Sequence, residues 1–185
     1  GQVPTIVSQG ILWNTNKYIG STKKSAFGKA VLCLINSQNP RDFYENKSVG
    51  VGENTVSSQI HHIFPNAKYK LRVGESINSV FNYTFLTNEA NNFISDKATY
   101  NYLNEIISMR QISATTLKGI FSKHIIDEEC YDYMQQEKYE EFLKQRAECI
   151  RKKLIEIGIK IQNVAKEKID EEIDDEDLVS EVDLL

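Results

Sequence analysis

The sequence predicts an α+β domain, rich in helix and built around a ββα unit, on three observations. A strand-like run closes in Gln59-Ile60-His61-His62-Ile63-Phe64-Pro65, where the proline stops the ladder. An aromatic and β-branched run, Val80-Phe81-Asn82-Tyr83-Thr84-Phe85-Leu86, reads as a second strand. Thr87 then stands as an N-cap before Asn88-Glu89-Ala90-Asn91-Asn92-Phe93-Ile94, with Ala90 in the first turn of a short helix. The unit spans about residues 57–96.

Residues 1–24 are polar and rich in Gly, Asn and Thr, and read as an irregular lead-in with Trp13 and Tyr18 as anchors. Ala26 to Ser37 reads as a core helix, ended before Asn39-Pro40 because a residue preceding proline is driven out of the helical region. Helices are expected near Thr99 to Arg110 and Thr115 to Lys123, with His124 as a packing or hydrogen-bonding residue. A long helix is expected from about residue 135 to 168. Along it Leu143, Ala147, Ile150, Leu154, Ile157, Ile161 and Val164 alternate four and three apart in a heptad seam. The seam can pack on its own domain or pair two protomers into a homodimer, and Gly158 within it counts against a coiled coil.

Composition bounds the function. A chain of 185 residues can bury one moderate core, over residues 25–169. No apolar run approaches the roughly 20 residues of a membrane span, and no signal peptide is visible, so a soluble, cytoplasmic protein is expected. Cys33, Cys130 and Cys149 show no CxxC spacing; they indicate neither a zinc ribbon nor a disulfide framework and read as buried reduced thiols. The net charge of −4 is unevenly distributed. Residues 1–126 hold 13 Lys and Arg against 7 Asp and Glu, residues 127–169 hold 9 against 10, and residues 170–185 hold none against 9. The part with the histidine pair is therefore basic, as a phosphate-binding surface requires. The last sixteen residues form an acidic tail, expected to be disordered.

His61 and His62 sit where a strand gives way to a loop, the usual place for chemistry, although a structural pair at a strand end is the competing reading. Ideal strand geometry sends neighbours to opposite faces, so they share a site only if the strand bends.

Together with Asn82 and the Asn91 helix downstream, the histidine pair resembles the motif of an HNH, or ββα-metal, nuclease. The run of Lys29-Ala30-Val31-Leu32, Asp42-Phe43, His-His-Ile-Phe-Pro, Asn82, Asn91-x-x-Ile94-Ser95-Asp96-Lys97, Tyr102-Leu103 and Tyr139-Glu140-Glu141-Phe142-Leu143-x-x-Arg146 resembles the C-terminal HNH half of GmrSD-type restriction proteins, from about Ser25 to Ile157. One departure is Asn66, where that family often carries lysine.

The resemblance implies hydrolysis of DNA phosphodiester bonds with one divalent metal ion, Mg²⁺ in the cell, with Mn²⁺, Co²⁺ or Ni²⁺ able to substitute. It implies His62 as general base, suited by an imidazole pKa of about 6.5, and His61 and Asn91 as metal ligands, with Asn92 the competitor on the helix. Asn82 would brace the loop and orient the base. Lys68, Lys70 and Arg72, in the loop past the strand, and Lys97 are candidate DNA contacts; solvated side chains are the alternative. The family further implies a role in restriction or phage defence beside an N-terminal NTPase or sensor domain not present in this chain. A chain opening on Gly1 is expected to be a fragment that does not hydrolyse nucleotides by itself. The alternative function is a DNA-binding or regulatory module that keeps the fold without turnover; a helical interaction protein is a third.

Overall fold

The computed structural model describes residues 10–163. The acidic tail, Val164 of the seam and the expected helix beyond it lie outside the described residues. In chain order the elements are β1 (Ile11–Trp13), α1 (Thr15–Ile19), α2 (Ala26–Ser37), β2 (Gln59–His62), α3 (Asn66–Val73), two 3₁₀ turns (Gly74–Asn78 and Val80–Asn82), β3 (Tyr83–Leu86), α4 (Asn88–Ile94), α5 (Thr99–Arg110), α6 (Ala114–Ser122), α7 (Glu128–Gln135), α8 (Tyr139–Glu156) and β4 (Ile161–Asn163). The architecture is α+β and dominated by helix. No helix among the described residues is long and apolar enough to cross a membrane.

Two small sheets serve different ends. β2 and β3 pair antiparallel, His61 opposite Thr84 and His62 opposite Tyr83. β1 and β4 pair parallel, Ile11 opposite Ile161. The second pairing corrects the reading of residues 10–24 as irregular: a three-residue strand has too little pattern to announce a partner at the far end of the chain. Trp13 and Tyr18 do anchor this segment, their rings 5.0 Å apart, with Tyr18 stacked on Phe27 at 4.0 Å.

Helix α2 begins at Ser25, whose hydroxyl accepts from Gly28 N at 2.9 Å, and buries Val31, Leu32, Leu34 and Ile35. Gly28 is required by contact: a Cβ there would stand 2.0 Å from Thr22 O. α4 starts where Thr87 Oγ1 accepts from Ala90 N at 3.0 Å. Thr87 is itself held by buried Asp42, whose Oδ2 accepts from Thr87 N and Oγ1, both at 2.9 Å.

Three local expectations are corrected. Lys68, Lys70 and Arg72 lie on helix α3 and not in a loop, because Tyr69 is buried in the core and pins one face of that turn. Asn82 closes a 3₁₀ turn before β3 and is not part of the strand; Ser79 Oγ accepts from Phe81 N and Asn82 turns its amide to local backbone, an arrangement that competes with the ladder. The long helix expected from about residue 135 to 168 is shorter, running only from Tyr139 to Glu156 as α8, and the separate helix α7 before it was not expected. Asp127 caps α7, Glu137 takes a left-handed φ of 56° between α7 and α8, and α8 stops before Gly158, whose φ of 88° reverses the chain toward β4. Of the seam, Leu143, Ala147 and Ile150 are buried in the chain's own core, and Ile157 is exposed.

Two buried polar residues tie the layers together. Arg146 Nη1 donates to Phe81 O (2.6 Å) and Tyr83 O (3.0 Å), and Nη2 donates to His124 O (2.9 Å). His124 is fully buried, with Nε2 donating to Arg41 O at 2.6 Å and Nδ1 accepting from Thr84 Oγ1 at 2.5 Å.

Candidate active site

The chain just after the histidines is locked in place. Ile63 and Phe64 have no exposed surface, and Ile63 N donates to Asn82 O at 2.8 Å. The buried Asn82 side chain accepts from Phe64 N (2.8 Å) and donates to Phe64 O (3.1 Å) and Ile77 O (3.0 Å). Tyr102 adds a hydroxyl donated to Ile63 O at 3.0 Å. Asn82 thus fixes the backbone that follows His62 and makes no hydrogen bond to the imidazole itself.

His61, His62 and Asn91 line one cleft of about 270 Å³, with Asn66 and Ser95 at its walls. The strand ends at His62, which lets neighbouring side chains share this cleft. Asn91 enters from α4, while Asn92 is exposed and stands away from the cleft wall.

His61 Nε2 is buried without a hydrogen-bond partner. An unpaired buried ring nitrogen costs about 1–3 kcal/mol unless something outside the chain satisfies it. Burial lowers the His61 pKa, and the charge of Lys23 lowers it further. His62 is lowered by burial as well; its hydrogen bond to Asn78 opposes the change, and Lys23 and His61 add to it. Both rings are therefore neutral near pH 7, the form that binds a cation or accepts a proton.

The tautomer of His62 is set by its neighbours. Asn78 Nδ2 donates to Glu75 Oε2 at 3.0 Å, which turns Asn78 Oδ1 toward the Tyr83 hydroxyl (3.2 Å) and His62 Nε2 (3.3 Å). An amide oxygen only accepts, so His62 carries its proton on Nε2 and its lone pair on Nδ1. The ring packs on Tyr83 with centroids 4.3 Å apart. Lys23 Nζ stands 4.7 Å from the centroid of that Tyr83 ring.

The expected DNA contacts fare unequally. Lys97 is engaged with Glu105 at 2.6 Å and lies 3.9 Å from the Phe93 ring centroid. Lys70 pairs with Glu75 at 3.5 Å, and Arg72 Nη2 donates to Glu137 O at 2.7 Å. Lys68 is exposed and has no ion-pair partner among the described residues.

Sequence reasoning missed Lys23 and Asn78. Neither carries a local signal: Lys23 sits in a polar segment, delivered by the Thr22–Ser79 bridge, and Asn78 closes a 3₁₀ turn. It also missed a second cluster. Asp127, Cys130 and Cys149 form a group able to hold a metal ion, their ligand atoms within 4.8 Å of one another. The reading of all three cysteines as buried thiols is corrected: Cys33 on α2 is exposed, Cys130 on α7 is buried and Cys149 on α8 is intermediate, because the helix face each occupies sets its exposure and spacing does not.

No family model matches the chain. It is similar to an uncharacterized protein of Methanocaldococcus jannaschii, 27 % identical over 161 residues, a match covering 76 % of this chain. The chain spans about a quarter of that relative's length, 27 % of it. No solved structure matches.

Proposed function

We propose that this chain is an HNH-type, ββα-metal endonuclease domain that hydrolyses DNA phosphodiester bonds. The observation that carries the reading is the convergence of His61, His62 and Asn91 on one cleft, with His61 Nε2 buried and unpartnered. That nitrogen and the Asn91 amide oxygen suit a divalent cation: both are neutral donors, on separate elements, beside room for water and phosphate oxygens. A bound divalent ion would supply Lewis-acid stabilisation of charge on the phosphate and leaving oxygen.

The chain's own residues supply the rest. His62 Nδ1 takes the proton from the attacking water, and the Nε2–H held by Asn78 keeps the ring in that tautomer. Asn82 acts on the ring indirectly, by holding the backbone of Phe64. Lys23 adds positive charge next to the cleft, where the scissile phosphate would lie. The restriction and defence role, with an NTPase or sensor half outside this chain, rests on the family resemblance.

The test is metal-dependent nicking of supercoiled plasmid by the purified chain, assayed with Mg²⁺, Mn²⁺, Co²⁺ and Ni²⁺. His62→Ala should lower the rate by about 10²–10⁴-fold, the usual contribution of a general base, with DNA binding nearly intact. An active His62→Ala protein would sink the assignment of the base. DNA binding without cleavage under any of the four metals would make the chain a binding module.

A further inference from the structure

Away from the histidine cleft, helix packing brings one carboxylate and two thiols together. Asp127 caps α7 by accepting from Cys130 N at 2.8 Å, and Cys149 comes across from α8. Cys149 Sγ donates to Asp127 Oδ2 at 3.1 Å, and Gln145 Nε2 donates to the same oxygen at 2.8 Å. Cys130 is buried, while Asp127 and Cys149 line a surface cleft of about 270 Å³ that gives water and ions access to the cluster.

Behind the cluster, Arg146 is fully buried, donates only to backbone carbonyls, leaves its Nε without a partner and has no carboxylate partner among the described residues. A buried charge of one sign is costly without its opposite.

We propose that Asp127, Cys130 and Cys149 form a binding site for one thiophilic divalent cation of the zinc class, with water from the cleft as fourth ligand. Two thiols release two protons on binding, so a dication with two thiolates and one carboxylate carries one net negative charge, the same as the Asp127 carboxylate beside two neutral thiols, and the exchange leaves the local charge unchanged. Arg146 supplies the matching positive charge from the core, and the N-terminal turn of α7 favours the Cys130 thiolate. Tetrahedral zinc, with Zn–S about 2.3 Å and Zn–O about 2.0–2.2 Å, places ligand atoms roughly 3.5–3.8 Å apart. The observed ligand atoms lie within 4.8 Å of one another, and Cys149 Sγ and Asp127 Oδ2 are already 3.1 Å apart, so the widest separation closes by at most about an ångström while that pair opens slightly. The bound ion clamps α7 to α8. Its sulfur ligands set it apart from the nitrogen and oxygen donors of His61 and Asn91.

The experiment is a Co²⁺ titration of the reduced full chain, followed by thiolate-to-cobalt charge-transfer absorption in the near ultraviolet and then displaced by Zn²⁺. One equivalent should give the band together with the visible bands of tetrahedral cobalt, and the metal-loaded chain should melt at a higher temperature than the chelated one. Cys149→Ser, at a half-buried position, should remove the band, and Asp127→Asn, which keeps a capping side chain, should weaken Co²⁺ binding by at least about tenfold. His61→Ala and Cys33→Ser should leave it unchanged, which separates this site from the proposed hydrolytic one. Absence of the band, its survival in a Cys149→Ser protein with wild-type circular dichroism, or a Cys130–Cys149 disulfide persisting in the reduced chain would overturn the proposal.

Discussion

His61 and Asn91 reach the cleft from a strand end and from a helix, and each offers a neutral donor to whatever occupies it. Removing either donor should act through metal affinity. Asn91→Ala is expected to raise the metal concentration for half-maximal nicking by about tenfold or more, whereas Asn92→Ala, at an exposed position off the cleft wall, should leave it unchanged. A damaging Asn92→Ala would place the register on α4 one residue out. Lys23 is the cation whose charge reaches both imidazoles, and it has no carboxylate partner among the described residues. Lys23→Ala should raise the DNA concentration for half-maximal cleavage by roughly tenfold, the value of one charge-assisted contact, and Lys23→Arg should restore most of it. Equal cleavage curves for Lys23→Ala and the parent chain would remove Lys23 from the site.

Elements hold these residues through a few close contacts. Gly28 lets α2 lie against the Thr22–Lys23 backbone, and a methyl group there meets a carbonyl oxygen at 2.0 Å. Gly28→Ala is therefore expected to destabilise the fold by about 1–3 kcal/mol. The same change should reduce cleavage at temperatures where the protein remains folded, because the displaced backbone carries Lys23; thermal melts alongside initial rates separate the two effects. Several elements were legible from local chemistry. The Thr87 cap, Pro40 and the His-His-Ile-Phe-Pro strand end all act within a turn of their own positions. The start of α8 at Tyr139 was not legible, because the turn before it holds Glu137 in a left-handed conformation of which that residue type gives no sign.

At the scale of the whole molecule, a fully buried histidine makes stability depend on pH. Burial lowers the His124 pKa from 6.5 to about 4, partly opposed by its bond to Arg41 O. The unfolded chain takes up this proton near 6.5 and the folded chain near 4, so between those values the unfolded state binds more protons. The stabilising contribution is complete above pH 6.5 and is lost as pH falls through about 4, a difference of roughly 3 kcal/mol. Urea midpoints measured from pH 7 to pH 4 should fall steeply for the parent chain. His124→Gln, able to keep both hydrogen bonds, should flatten that slope; an unchanged slope would assign the pH dependence to other groups.

The sequence by itself determined the α+β class, the order of strand, strand and helix, and the helix over Ala26–Ser37, while the grouping of His61, His62 and Asn91 came from the family resemblance. Hydrophobic periodicity, capping side chains and proline each act over a few neighbouring residues, so they can be read from neighbours alone. Only the tertiary structure decided that β1 pairs with β4, that Asn78 sets the tautomer of His62 and that Lys23 stands beside both imidazoles. It alone joined Asp127 and Cys130 to Cys149 across two helices. Such meetings depend on how helices and strands pack after they form, and side chains brought together by packing leave no periodic trace in the chain between them.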